Sequence, residues 1–281
     1  MKKIGFIDLY LDEWHANNYP AWFRESALWN GFELAGAWEK RPGERPLDVW
    51  CKEMDIPAYT SMEKLLEDCD AFCVLAPSNP EVHEELAELP LMTGKPVYID
   101  KPFAPDKAAA ERLFERADKY NTPLFSSSAL RFGDELIASR GLFPVEAMTT
   151  QGGGSSFWEY SIHQIEMIVS TMGYDITALN HEVSGTTDQV TFRFGDGRIA
   201  AMTLHPKCGF SAVLTGKDEI AHVGGATNCF PNLIDAMLKF YNDRTEPFDR
   251  RETIAIAALV RAAIDAASHS GEWVKVNTSQ V

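Results

Sequence analysis

Four groups of residues have the types and spacing that proton and hydride chemistry use. Lys101 lies between Asp100 and Pro102, directly after the apolar run 96–99. A proline after a strand stops it and fixes the turn, so the lysine stands at the strand's carboxyl end. A lysine so placed projects over the carboxyl edge of the sheet, where ligands of open parallel sheets bind. Glu159 and His163 are four positions apart, which puts them on one helix face a turn from each other. A carboxylate so placed can orient the imidazole, and the imidazole can accept an alcohol proton.

The third group is the segment 8–15, Asp-Leu-Tyr-Leu-Asp-Glu-Trp-His, which follows the first apolar run. A dinucleotide-binding turn at this place reads Gly-x-Gly-x-x-Gly, because glycines let backbone N–H groups approach a pyrophosphate. The segment has no glycine, and Asp8, Asp12 and Glu13 bring carboxylates instead. Those acids suit a helix dipole and compete with an anionic ligand for it. The expectation is weak binding of NAD or NADP on this turn, with all three acids satisfying the helix amides. The fourth group is Glu39, at the end of the second strand, where NAD-preferring folds hold the ribose 2′-hydroxyl. Lys40 and Arg41 follow it, and either could accept a 2′-phosphate.

The elements that must position these groups alternate in the first half. Apolar strand runs are expected at 4–7, 33–39, 71–75, 96–99 and from 123, and helices at 17–30, 61–66, 80–92 and 105–120. Repeated β-then-α units specify a Rossmann-type, doubly wound parallel sheet, whose ligand crevice lies at the carboxyl ends of its strands. The second half changes rhythm. A helix is expected at 156–172, strands from 178 to 223 with a hairpin at 195–197, helices at 231–241 and 251–268, and a strand at 273–276. This is an α+β pattern on an open, mostly antiparallel or mixed sheet. The division falls at 1–125, a dinucleotide-binding-like domain, and 126–281, a domain for substrate binding and oligomerisation.

The composition narrows the partners. The 281 residues carry 26 basic and 41 acidic side chains, a formal net charge of −15, so neither a phosphate backbone nor an anionic membrane surface is an expected partner. The longest apolar run, about 71–77, is far short of the ~20 residues that span a bilayer. Asp8 and Asp12 interrupt what would be the apolar part of a signal peptide. Five cysteines in no zinc or disulfide spacing point to a reduced, cytoplasmic setting and to no metal site.

Several motifs, in order, extend this reading. Residues 76–83 read Ala-Pro-Ser-Asn-Pro-Glu-Val-His, and 94–102 read Gly-Lys-Pro-Val-Tyr-Ile-Asp-Lys-Pro. Leu130-Arg131-Phe132, Gly152-Gly153-Gly154 with Glu159 and His163, and the tail 230–276 follow. Together they resemble the glucose–fructose oxidoreductase and inositol dehydrogenase family (Gfo/Idh/MocA), with a degenerate glycine-rich turn. The resemblance implies an NAD(P)-dependent oxidoreductase acting on a sugar, cyclitol or related polyol. It implies Lys101 and His163 as catalytic residues, with Glu159 orienting His163 and the two meeting in one pocket. It implies Asp8, Leu9, Glu39, Pro77, Asn79, His83, Asp100 and Lys101 along an NAD or NADP cofactor, and Arg131 and Trp158 at the substrate. A homo-oligomer paired through the second domain is a further implication. Glu159 replaces the family's usual aspartate, Asp100 its usual glutamate, and the stretch between Arg131 and Gly152 is short. The altered turn keeps two alternatives open, a redox-inactive metabolite-binding or regulatory protein, and a cofactor-independent lyase or isomerase.

Overall fold

The computed structural model describes residues 1–276 and residue 278. Contacts divide them into two compact units. In chain order the first comprises β1 (Lys2–Asp8), α1 (Trp14–Glu25), β2 (Phe32–Glu39), α2 (Leu47–Met54), α3 (Met62–Asp68), β3 (Ala71–Val74), α4 (His83–Leu86), β4 (Val97–Ile99), α5 (Lys107–Lys119) and β5 (Leu124–Phe125). The five strands form one parallel sheet in the order β2-β1-β3-β4-β5. The chain steps outward from β1 to β2 and returns to β3 on the other side of β1, so the winding reverses there. All four residues of β3, Ala-Phe-Cys-Val, are buried, as a central strand covered on both faces requires. Gly36 is needed where β2 passes α3. A Cβ there would stand 2.4 Å from Leu65 Cδ1 and 2.5 Å from the Tyr59 ring.

The second unit comprises α6 (Asp134–Ser139), β6 (Ala147–Gly152), α7 (Phe157–Met172), β7 (Ile176–Ser184), β8 (Thr187–Phe194), β9 (Ile199–Leu204), β10 (Ser211–Thr215), β11 (Ile220–Val223), the first turn of α8 (Cys229–Asp243), α9 (Arg250–Ala266) and β12 (Trp273–Lys275). Its sheet runs β11-β10-β6-β9-β8-β7-β12. The β6–β9 pair is parallel and the other pairs are antiparallel, so the sheet is mixed. Residues of alternate parity line one face. Met148, Val190, Phe192, Ala200, Met202, Ala212 and Leu214 join Ile165, Ile168, Leu259 and Ala263 of α7 and α9 in a single core. The opposite face carries Thr149, Gln151, Ile199 and Ile220, all exposed.

The chain differs from the sequence expectation in four places. Helix α1 spans Trp14–Glu25 rather than 17–30. It starts early because the Glu13 side chain caps it, a task more often given to Ser, Thr, Asp or Asn, and it ends at the Ser26 C-cap, whose backbone is extended. The expected helix 80–92 is broken into a 3-10 turn at Pro80–Val82, the short α4 and a second 3-10 turn at Pro90–Met92. A proline has no N–H to continue a helical ladder. Helices α2 and α6 and strand β6 were not expected. Finally, the units divide after Ser127, and residues 233–249 belong with the first unit rather than the second. Their buried Phe240 packs edge-on to Phe125 at 4.7 Å. The Tyr241 hydroxyl donates to the Phe72 carbonyl, and the Lys2 ammonium to the Tyr241 carbonyl.

Candidate functional site

The carboxyl end of β4 is held by side chains from α1 and from β4 itself. Asp100 is 1% exposed. Its carboxylate contacts the His15 ring at Nδ1 and accepts from the Tyr98 hydroxyl at 3.0 Å and the Tyr19 hydroxyl at 3.5 Å. Burial pushes the Asp100 carboxyl up, but His15, aided by Lys101, outweighs this and holds it below the usual carboxylate range. The His15 ring is itself fixed by stacking on Tyr19, with centroids 5.2 Å apart and planes 12° apart. The Tyr98 hydroxyl also donates to the Ser127 carbonyl, which ties the end of β4 to the segment after β5. Lys101 follows, 8% exposed, with a cis bond to Pro102. A cation is thus carried on a backbone whose preceding residue makes several contacts, which suits it to hold a substrate group in one place.

The turn after β1 is filled by its own carboxylates. Glu13 accepts from the His15 amide at 2.7 Å and from the Ala16 amide. Asp8 accepts from the Leu9 amide at 2.6 Å, and Glu39 from the Leu11 amide at 3.0 Å. Asp8 is 1% exposed, and its second oxygen has no hydrogen-bond partner. Burial, then the nearby Glu13, pushes the Asp8 carboxyl up. Burial likewise pushes Glu13 up to about 7, against the pull of His15. Asp12 departs from expectation. It does not cap α1 but pairs with Arg45 at 2.7 Å, while Asn17 donates to it at 3.3 Å. Glu39 likewise faces the Leu11 amide, the role for which a ribose was expected.

The strand-end residues after β3 separate into two kinds. Pro77 is buried and Asn79 half-buried, in a turn closed by the Asn79 amide on the Ala76 carbonyl at 2.9 Å. Ala76 adopts φ +70°, a left-handed conformation that costs a non-glycine residue energy and recurs at functional turns. His83 was expected along a cofactor, but it is fully buried. Its two ring nitrogens lie against the Phe103 and Leu75 carbonyls at 2.9 and 2.7 Å. The ring therefore pins two loops together, and burial lowers its pKa.

In the second unit, α7 carries His163, Glu159 and Trp158. The His163 Nδ1 lies 2.7 Å from the Ser128 hydroxyl, and its ring packs edge-on to Phe210. Glu159 accepts from Ser156 at 3.4 Å, and Trp158 is 48% exposed. Ser128 is the positioning group that sequence reading missed, although the serine run 126–128 had marked a strand end. Arg131 was expected to meet substrate, but it is 4% exposed and bonded to Glu166 and Glu252 at 2.7 Å each. Glu166 also accepts from the Ser128 amide at 3.0 Å. This buried triad fastens the segment 128–132 to α7 and α9, and so steadies the serine that meets His163. The run Gly152-Gly153-Gly154 is a packing need, since a Cβ on Gly154 would stand 2.1 Å from the Tyr160 ring.

Among the described residues no group of three His, Cys, Asp or Glu side chains is placed to hold a metal ion. No described helix is long and apolar enough to cross a membrane. A dinucleotide does not fit the β1 turn as it stands, because Glu13 takes the α1 amides that a pyrophosphate uses.

Residues 11–127 match the family described as "Oxidoreductase family, NAD-binding Rossmann fold" (GFO_IDH_MocA). The chain is 31% identical over 114 residues to an uncharacterized oxidoreductase of Schizosaccharomyces pombe, covering 41% of this chain and 31% of that one. It is 24% identical over 176 residues to myo-inositol 2-dehydrogenase of Thermotoga maritima, covering 56% and 53%. The matches thus span about a third to a half of those relatives' lengths. Among the solved structures that share the fold are the following two. A probable dehydrogenase from Thermotoga maritima superposes with a TM-score of 0.82 at 16% identity, covering 99% of each chain. The scyllo-inositol dehydrogenase from Lactobacillus casei with bound NAD(H) and scyllo-inositol superposes at 0.84 and 15%, covering 98% of this chain and 99% of that one. Over residues 11–127, therefore, the chain matches the Gfo/Idh/MocA oxidoreductase family model, which describes an NAD-binding Rossmann fold.

Proposed function

We propose that the protein is an oxidoreductase of the Gfo/Idh/MocA type acting on a sugar, cyclitol or related polyol, with NAD or NADP as the implied dinucleotide. The observation that carries this reading is Lys101, held almost buried at the carboxyl end of β4 beside the anchored Asp100. In this reading Lys101 holds the substrate hydroxyl and stabilises charge on its oxygen. His163 accepts the hydroxyl proton, with Ser128 at its Nδ1 and Glu159, one turn earlier on α7, as the carboxylate proposed to orient the ring. Asp8, Leu9, Glu39, Pro77, Asn79 and Asp100 are the residues proposed along the dinucleotide, and Trp158 the one proposed at the substrate. The names of the Thermotoga and Lactobacillus relatives support a polyol. A homo-oligomer paired over the exposed face of the second sheet, with Ile199 and Ile220, belongs to the same reading, as does a cytoplasmic setting.

Glu13 on the α1 amides favours a second reading, a family member without redox activity that binds a metabolite or uses Lys101 and His163 as acid and base in a lyase or isomerase. One experiment separates them. The protein is titrated with NAD, NADH, NADP and NADPH by tryptophan fluorescence, then assayed with a panel of cyclitols and sugars for reduced-nicotinamide absorbance. Turnover of at least one polyol is expected. Conversion of a polyol with no dinucleotide present, and none reduced when it is present, overturns the first reading in favour of the second.

A further inference from the structure

We propose that the Glu13 carboxylate is the resident occupant of the anion seat at the amino end of α1, so that Glu13 sets how well this chain takes a pyrophosphate. The proposal rests on the reading of this edge as a dinucleotide site.

A helix amino end attracts an anion because its first amides have no partner within the helix and its dipole is positive there. Here the amides are already used. Glu13 adopts an extended backbone at φ −136°, which turns its side chain over the first turn of α1. Its two oxygens then accept from His15 and Ala16, as two phosphate oxygens would. The neighbouring amides are used as well. Leu9 donates to Asp8, Leu11 to Glu39, Glu13 to the Leu11 carbonyl, and Asn17 to the Glu13 carbonyl.

The buried surroundings of this seat oppose a second anion. The unpartnered oxygen of the buried Asp8 lies in the same turn, and Asp100 adds further negative charge close to Glu13. Two arginines at this turn are engaged elsewhere. Arg45 is bonded to Asp12, Glu53 and Asn17, and Arg41 lies over the Tyr10 ring at 5.7 Å. A pyrophosphate must therefore displace Glu13 before it can bind these amides. A chain without this carboxylate has the amides available from the start.

The test compares wild type with Glu13→Ser and Glu13→Gln, titrated calorimetrically with inorganic pyrophosphate and with NADH. Serine is a preferred helix cap and keeps α1 started while removing the charge. Glutamine keeps the side-chain length and one acceptor. Both variants are expected to bind both ligands at least ~10-fold more tightly than wild type, with a gain that shrinks as salt is raised. Equal affinity in wild type and in both variants overturns the proposal. So does undetectable binding in all three, provided either variant keeps the wild-type melting temperature. The outcome is separate from the oxidoreductase reading. A gain in pyrophosphate affinity without polyol turnover sinks only that reading, and turnover without the gain sinks only this one.

Discussion

The carboxyl ends of β1 and β4 lie in one sheet and touch through His15 and Asp100, yet they are built to opposite ends. At β4 an anchored carboxylate is followed by a nearly buried cation, Asp100 then Lys101. At β1 three acids and two aromatic residues stand where a glycine-rich turn is expected, and Glu13 and Asp8 accept from amides of their own turn. The difference shows which parts of such a site the fold constrains. Asp100 is held by three side chains from α1 and β4, so the position of Lys101 follows from the sheet. The β1 turn needs only a cap for α1, and a glutamate supplies that as well as a ligand does. One edge can therefore keep a nearly buried cation while the other fills its helix amides with its own carboxylate.

The comparison is most directly broken at Lys101 and His163. Lys101→Ala and His163→Ala are each expected to lower kcat on the polyol found by screening by ~100- to 10,000-fold, with the melting temperature almost unchanged. A large loss of stability with activity intact would make both residues structural. Arg131 is the counter-case, a charged residue expected at the substrate but bonded to two carboxylates instead. Arg131→Ala leaves Glu166 buried beside a missing partner and is expected to destabilise the second unit by about 3–5 kcal/mol. Chemical denaturation would show this, and a variant as stable as wild type would argue against the triad as a fastening.

The smallest expected effect sharpens the β1 end. Burial raises the Glu13 carboxyl from its ordinary 4.5 to about 7, with Asp100 adding to the rise and His15 opposing it. Between these values the folded chain holds a proton that the unfolded chain has released. Stability therefore falls as pH rises through that window. Glu13→Gln removes this slope, so its melting temperature relative to wild type should climb from about pH 4.5 to about 7 and then level off. A difference independent of pH would show that Glu13 titrates normally in the fold.

Much of this was legible in the residues themselves. The burial of all four β3 residues, the alternation along β8 and β9 and the position of Lys101 before Pro102 are local patterns with a local physical cause. The acids of the β1 turn were equally visible, but their division of labour was not. Asp12 and Glu13 are adjacent and chemically alike, and only the arrival of Arg45, 33 residues on, draws Asp12 away from the helix. The internal partners of His83 and Arg131 were hidden for a related reason. A sequence shows a polar side chain but not whether backbone carbonyls or carboxylates will surround it.

What the sequence determined by itself was most of the strands and helices, the parallel sheet of the first half and the loss of the glycine turn, because each depends on the spacing of neighbouring residues. Tertiary structure decided that residues 233–249 return to the first unit, that Ser128 meets His163 across 35 positions, and that Arg131 joins Glu252 across 121. Such pairings are chosen by which surfaces the packed elements bring within hydrogen-bond reach, and that depends on the register and packing of whole sheets and helices rather than on any local run.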